Sequence, residues 1–531
     1  MPYHTEVSFA HLSYNTMQMR LTNISCTRTL AICASLFLSI NLNAQQKLFR
    51  FPQSYELEAG TILSSSSKTP FWLRANQYGS VPYNAPSATV KIGFSADYDT
   101  TKHQFDIGYA ADLIVNGSTN IDYSPTQVAL LQQAYFKVKY GVVEAYIGRR
   151  REIFGLVDTT LTSGAYSWSG NALPVPKIQI GIPRYTPIKF TKGWVSVMGT
   201  FAHGWLGGIY VRNAFLHQKS LFLRVGKTQS TFRAYGGVNH NVVWGGISPD
   251  LVGTGIVTSE HLPASFRDYL LVVSGLRTNS QAIIPVGSDL TDFDITNRIG
   301  NHLGSIDIAL EVDLRRHSLF IYRQNPYDTG ALFYLTSIAD GLHGIRLRNH
   351  RPNALFQNIL FEFLNTASQG GPEFVIEDPQ RRGKVNYFNN AQFRDGWAYQ
   401  RQTIGTPFIN PNYDINGRTS FGGYTINNRI YAWHLAASGT LPVQVRWLKQ
   451  HPVYVTKLSF SRNLGTYDTP FPRPITQFSM LIQASAIVQS QGSIGSLVDG
   501  TEVIGKLAID AGGLYPSGTG VYLGVRRSWS K

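Results

Sequence analysis

Arg149-Arg150-Arg151 is the densest run of side chains in this sequence that could do chemistry. It opens a polar stretch reaching Tyr185 that also contains Tyr166, Trp168 and Asn171. Guanidinium forks match the geometry of carboxylates and phosphates, so three in succession could hold an acidic polymer. The Tyr166 and Trp168 rings could stack on the C–H faces of sugars while the Asn171 amide bonds hydroxyls. A second group of the same kind follows at Tyr387, Asn389, Asn390, Trp397 and Tyr399. Two readings stay open for both groups. One is a site for an acidic glycan; the other is internal charge pairing, with the aromatics serving as interfacial anchors in a membrane. Arg315-Arg316, Arg346, Arg348 and Arg381-Arg382 recur near the ends of strand-like runs and carry the same two readings.

Catalytic arrangements are weaker. Asp340 and His343 supply an acid and a base without a positioned nucleophile, and a turn between strands accounts for them better. Ser167 and Ser169 lack the glycine frame of a nucleophile elbow. The 13 histidines show no paired metal-ligand spacing. The expectation is a protein with no enzymatic activity, no cofactor and no metal.

Residues 1–44 read as a secretory signal peptide whose true start is Met17 or Met19. Arg20 and Arg28 flank the short apolar run T-L-A-I-C-A-S-L-F-L-S-I, and Ala44 supplies the small residue at the cleavage point. Both cysteines, Cys26 and Cys33, fall inside it. The mature chain is therefore expected to have no disulfide framework and no cysteine chemistry. The net charge of +15 falls by only one on cleavage. A basic balance fits anionic partners such as phosphorylated lipid or acidic polysaccharide. Export makes nucleic acid the least suitable of them.

Positioning such groups falls to strands. Beyond Ala44 no apolar stretch approaches the roughly 20 residues of a membrane-spanning helix. From Ala88 the pattern alternates: Ala88, Val90, Ile92, Phe94 and Tyr98 are apolar, with Thr89, Lys91, Gly93 and Asp97 between them. Phe105 to Val115, Gln127 to Tyr140 and a series of later runs, Pro442 to Leu448 among them, repeat it. Runs of about ten residues with period two match strands that cross a bilayer at a tilt, apolar face to lipid and polar face to the lumen. A single run fits a soluble β-sandwich equally well; the accumulation favours a barrel of about 16–18 strands. The fold class is all-β, a large antiparallel transmembrane barrel over 87–531, preceded by an N-terminal segment at 45–86 that could be helical or extended.

Several stretches, taken in order, resemble the Wzi-type capsule assembly proteins, outer-membrane β-barrels of Gram-negative bacteria. They include P-F-W-L-R-A-N-Q-Y-G (Pro70 to Gly79), G-R-R-R-E-I-F-G (Gly148 to Gly155) and S-W-S-G-N-A-L-P-V-P (Ser167 to Pro176). W-G-G (Trp244 to Gly246), N-H-L-G-S-I-D (Asn301 to Asp307), Y-R-Q-N-P-Y-D (Tyr322 to Asp328) and I-A-D-G-L-H-G (Ile338 to Gly344) follow. The last is N-Y-F-N-N-A-Q-F-R-D-G-W-A-Y (Asn386 to Tyr399).

The resemblance implies a barrel of about eighteen strands, a small helical element on the periplasmic side, and loops that occlude the outer mouth. It also implies a lectin-like role without enzymatic chemistry: binding capsular or extracellular polysaccharide at the cell surface. The site residues follow from residue chemistry instead: Arg149, Arg150, Arg151, Tyr166, Trp168, Asn171, Tyr387, Asn389, Asn390 and Trp397. Expected partners are an acidic polysaccharide and outer-membrane lipid including lipopolysaccharide. The main alternative is a porin or polysaccharide export channel, followed by an outer-membrane hydrolase and a soluble periplasmic β-protein.

Overall fold

The computed structural model describes residues 52–99, 104–118, 128–254, 257, 259–276, 298–328, 335–375, 383–417, 423–489 and 498–530. The expected signal peptide and Arg381-Arg382 lie outside the described residues.

The period-two runs form strands. The first nine are β1 (Ser54–Ser64), β2 (Ser87–Ala96), β3 (Asp106–Ser118), β4 (Ala129–Tyr140), β5 (Val143–Arg149), β6 (Lys177–Pro187), β7 (Val195–Leu206), β8 (Ala214–Val225) and β9 (Phe232–Trp244). Then come β10 (Asn301–Asp313), β11 (His317–Asp328), β12 (Gly341–Asn349), β13 (Asn358–Asn365) and a small hairpin, β14 (Ala398–Tyr399) with β15 (Gln402–Thr403). The series ends with β16 (Ile430–Thr440), β17 (Val453–Gly465), β18 (Pro470–Ile487), β19 (Glu502–Gly512) and β20 (Gly518–Ser530). All but the hairpin belong to one 18-stranded sheet.

That sheet closes on itself. β1 pairs antiparallel with β2 on one side and with β20 on the other, Tyr55 opposite Trp529 and Ser64 opposite Gly520. Closure leaves no edge, so every wall strand has a neighbour on both sides for its backbone groups, the condition for a sheet to cross lipid. The faces follow the alternation. On β2, Val90, Ile92 and Phe94 are exposed on the outside, while Lys91 points inward to Glu56 at 2.7 Å. The fold is therefore a transmembrane barrel of the outer-membrane type, with an apolar belt outside and a polar lumen.

Three expectations from sequence are corrected. Ser54–Ser64 belongs to the barrel wall and closes it, so the barrel begins ahead of residue 87; Tyr55, Leu57 and Leu63 of this strand are exposed on its outer face. The helical element is a single turn, α1 (Phe71–Arg74), and it sits inside the lumen. Its Phe71, Trp72 and Leu73 are buried, and its first amide is taken up by Asp510 of β19. Pro442 to Leu448 is irregular, lying in the connection between β16 and β17; Pro442 cannot donate to a ladder.

Connections differ sharply at the two rims. The rim where β1 begins and β20 ends carries short ones such as 141–142 and 314–316; the other carries 65–86, 150–176, 245–300 and 366–429. Long loops mark the external side of such barrels. The described parts of 65–86, 150–176 and 366–429 fold inward as a plug. Gly148, at φ +121°, has the Ala134 carbonyl where a Cβ would lie, so glycine lets the chain leave the wall there.

The described part of 245–300 lies against the outer wall instead. Its helix α2 (Phe266–Ser274), started by a Ser265/Asp268 capping box, packs Tyr269 and Val272 against Phe215, Val242, Trp244 and Ile299. Barrel protein extracted in mild detergent should migrate faster on a gel before boiling than after it. A single band at both temperatures would restore the soluble-sandwich reading.

Candidate functional site

The lumen is organised by polar wall side chains that grip the backbone of the plug. Asp307 of β10 accepts from the Leu156 amide at 2.8 Å. Glu362 of β13 accepts from the Ser163 amide at 2.6 Å and the Thr162 hydroxyl at 2.7 Å. Gln324 of β11 accepts from the Tyr166 amide at 2.9 Å, and Asp510 from the Phe71 amide at 2.8 Å. His434 of β16 joins the Leu161 carbonyl at 2.8 Å and Ser459 of β17 at 2.7 Å. Buried backbone amides need partners, and the wall supplies them from strands spread around the barrel.

The plug adds its own turn. Asp158 accepts from the Thr160 amide and hydroxyl and from the Leu161 amide, and Arg346 of β12 reaches it at 3.5 Å. Burial works against its charged form, yet the Thr160 and Leu161 hydrogen bonds with Arg346 hold its carboxyl below the ordinary range.

The structure brings the predicted site residues together, but inside the plug. Tyr166, Trp168, Tyr387 and Trp397 are buried. Trp168 and Trp397 meet edge to face at 6.0 Å, and Tyr166 meets Tyr387 at 5.7 Å. The Trp397 indole donates to the Ser167 carbonyl at 2.7 Å, and the Tyr387 hydroxyl to Asp340 at 2.8 Å. These rings are a packed core joining two loops and offer no open face to a sugar.

The amides stitch the same loops. Asn171 accepts from the Asn76 amide and donates to the Thr403 carbonyl at 3.0 Å. Asn389 bonds Thr425 in both directions, and Asn390 caps the amides of Gln392 and Phe393.

The arginines divide. Arg149 donates to the Tyr399 hydroxyl at 2.8 Å. Arg150 spans Glu144 at 2.5 Å and Glu152 at 3.1 Å, and Lys177 completes the row at 2.8 Å from Glu152. Burial works against the charge on Glu152, but Lys177 and Arg150 outweigh it and hold the carboxyl below its ordinary value. Arg151 pairs with Asp112 at 3.3 Å and remains 38% exposed. It borders a lumen cavity of about 330 Å³ below the plug, shared with Lys91, Lys506 and Arg526.

Asp340 and His343 do not meet as an acid–base pair. Asp340 accepts from the Ser368 and Gln369 amides, whereas His343 lies on the outer wall against Phe363. Sequence reasoning missed the wall acceptors Asp307, Glu362 and Asp510. Their signal was a lone acid on the lumen phase of an apolar run, as in Ile306-Asp307-Ile308 and Phe361-Glu362-Phe363.

Glu362→Ala should leave two plug donors unpaired and cost about 2–4 kcal/mol, read as a lower midpoint of heat-dependent gel migration. Glu152 has a depressed folded pKa, so its stabilising contribution is complete above its ordinary value of 4.5 and fades as pH falls through the lower folded value. E152Q should flatten the loss of stability in that acid window; an unchanged slope would remove Glu152 from the account.

No family model matches the chain, and no curated protein matches it in sequence. Among solved structures it is similar to Wzi of Escherichia coli, described as an outer-membrane protein involved in group 1 capsule assembly and a carbohydrate-binding β-barrel. The TM-score is 0.54 at 13% identity, covering 90% of this chain and 85% of that one. It is also similar to Pseudomonas aeruginosa OccK5 (OpdH), with a TM-score of 0.44, 8% identity, and 90% and 98% of the two chains covered. For OccK3 (OpdO) of the same organism the TM-score is 0.43 at 8% identity, covering 90% and 95%. At these identities the likeness is one of architecture: the chain has the closed eighteen-strand fold of an outer-membrane barrel, the fold in which Wzi is built.

Proposed function

We propose that this barrel binds an acidic capsular or extracellular polysaccharide non-covalently at the cell surface and helps to assemble and retain it there. The observation that carries this reading is the plug, tied to β10, β11, β13, β16, β17 and β19. A barrel filled from wall to wall suits a platform for polymer better than a conduit. Wzi, a carbohydrate-binding barrel of the same architecture, points the same way.

In this reading the polymer meets the loop surface above the plug. The buried aromatic core of Trp168, Trp397, Tyr166 and Tyr387 gives that surface its shape, and the positive balance of the chain favours acidic sugars. Each contact would be weak, with retention supplied by many repeats along one polymer. No bond is made or broken.

The test is a deletion strain in which cell-bound and released polysaccharide are compared. Polymer should still be made but shed into the medium. Accumulation inside the cell, with neither surface nor released polymer, would make the protein part of the export route. In planar bilayers the wild-type barrel should pass little current, and a steady large-conductance state would favour a channel.

A further inference from the structure

On the outer wall between β10 and β13 the apolar pattern is interrupted on β11 and β12. Toward the external rim, β11 presents Leu319 and Ile321 and then Arg323 and Asn325; β12 presents Leu347 and Ile345 and then His343. On β13 Ile359 and Phe361 give way to Phe363 and Asn365. The alternation fixes these side chains outside, because their neighbours Tyr322 and Gln324 reach inward to Glu362 and Asp307. Arg323 and His343 are thus polar groups on the outer wall, with apolar Ile308 and Phe363 opposite them on the neighbouring strands. Between Ile308, Leu310, Ile321, Ile345 and Phe361 runs an apolar groove of about 460 Å³, which Arg323 and His343 border.

Arg323 has no carboxylate partner among the described residues. One Nη donates to the Ile338 carbonyl, and Nε is buried without a partner. A guanidinium stays charged, and a charge facing hydrocarbon is costly. Lys219, another outward cation on this side of the barrel, meets the same problem differently: it donates to the Val273 carbonyl at the C-terminal end of α2, where the helix dipole is negative. Among the described residues no such helix lies above Arg323, which leaves the lipid it faces as the source of a counter-ion.

We propose that this wall holds a phosphorylated, multiply acylated glycolipid of the outer leaflet, with a phosphate on Arg323 beside His343 and an acyl chain in the groove. A sugar headgroup suits the level just above, where Asn325 and Asn365 meet the carbonyls of Ile338, Ala339 and Asp340. The site is separate from the plug and does not depend on the polysaccharide reading.

The experiment is native mass spectrometry of the full barrel in detergent, titrated with bis-phosphorylated lipid A. Wild type should retain one lipid A, and R323Q about tenfold less, the equivalent of one charged hydrogen bond; R323K should recover part of the loss. Equal retention by R323Q overturns the site. So does equal binding of dephosphorylated lipid A or of phosphatidylglycerol to the wild type. That lipid comparison uses the wild-type barrel alone, so it decides the matter even if R323Q does not fold.

Discussion

The structure depends on hydrogen bonds from plug backbone to wall side chains. A loop carried into a barrel brings amides and carbonyls that no ladder satisfies, and each left unpaired away from water is destabilising. Here the wall supplies the partners: Asp307, Glu362, Asp510, Gln324 and His434 each hold a different point of the plug. Because the bonds run to backbone, they constrain where the chain lies more than which side chains it carries. The aromatic core then packs between loops already fixed in place.

The same logic inverts the usual protein interior. Outside, the belt needs only apolar side chains at alternate positions, since its surroundings are lipid tails. Inside, charges are buried in rows in which cation and anion alternate, as in Glu144, Arg150, Glu152 and Lys177. Removing one member leaves its partner buried and unpaired, and that costs more than the pair itself contributes. The lumen is thus stable as a network, and its arginines are largely engaged within it.

That engagement explains what was legible in the sequence. Alternation in Ala88 to Phe94 depends on local chemistry alone and located the strand and its lipid face, whereas Tyr98 lies past the strand and turns inward to Glu144. The segment 45–86 is ambiguous by sequence because its strand, β1, pairs with β20, whose residues lie at the other end of the chain. Trp168 and Trp397 fall in two separate groups by sequence, and neither their contact nor their burial can be read there. An aromatic beside an asparagine looks the same whether the pair faces a sugar or closes a core, and only the return of 366–429 into the lumen decides. Asp307 and Glu362 carried a readable signal, an acid on the inward phase of a strand, whose partner in the plug no spacing could name.

The placement of charge bears on where this protein meets other molecules. The chain carries 47 Lys and Arg against 32 Asp and Glu, but the lumen cations are largely met by lumen acids. Arg233 has Glu311 and Asp313, Arg346 has Asp158 and Glu311, and Lys91 has Glu56 and Asp112. A polar interior balanced in this way contributes little to the net charge. Cations on rims, loops and the outer wall are the ones placed to act on anions in the surroundings. Arg315 and Arg316 at one rim and Arg323 on the wall are examples, exposed or without a carboxylate partner. An anionic polymer or lipid would therefore be drawn to the outside of this barrel, while its lumen holds the plug that keeps the outside in shape.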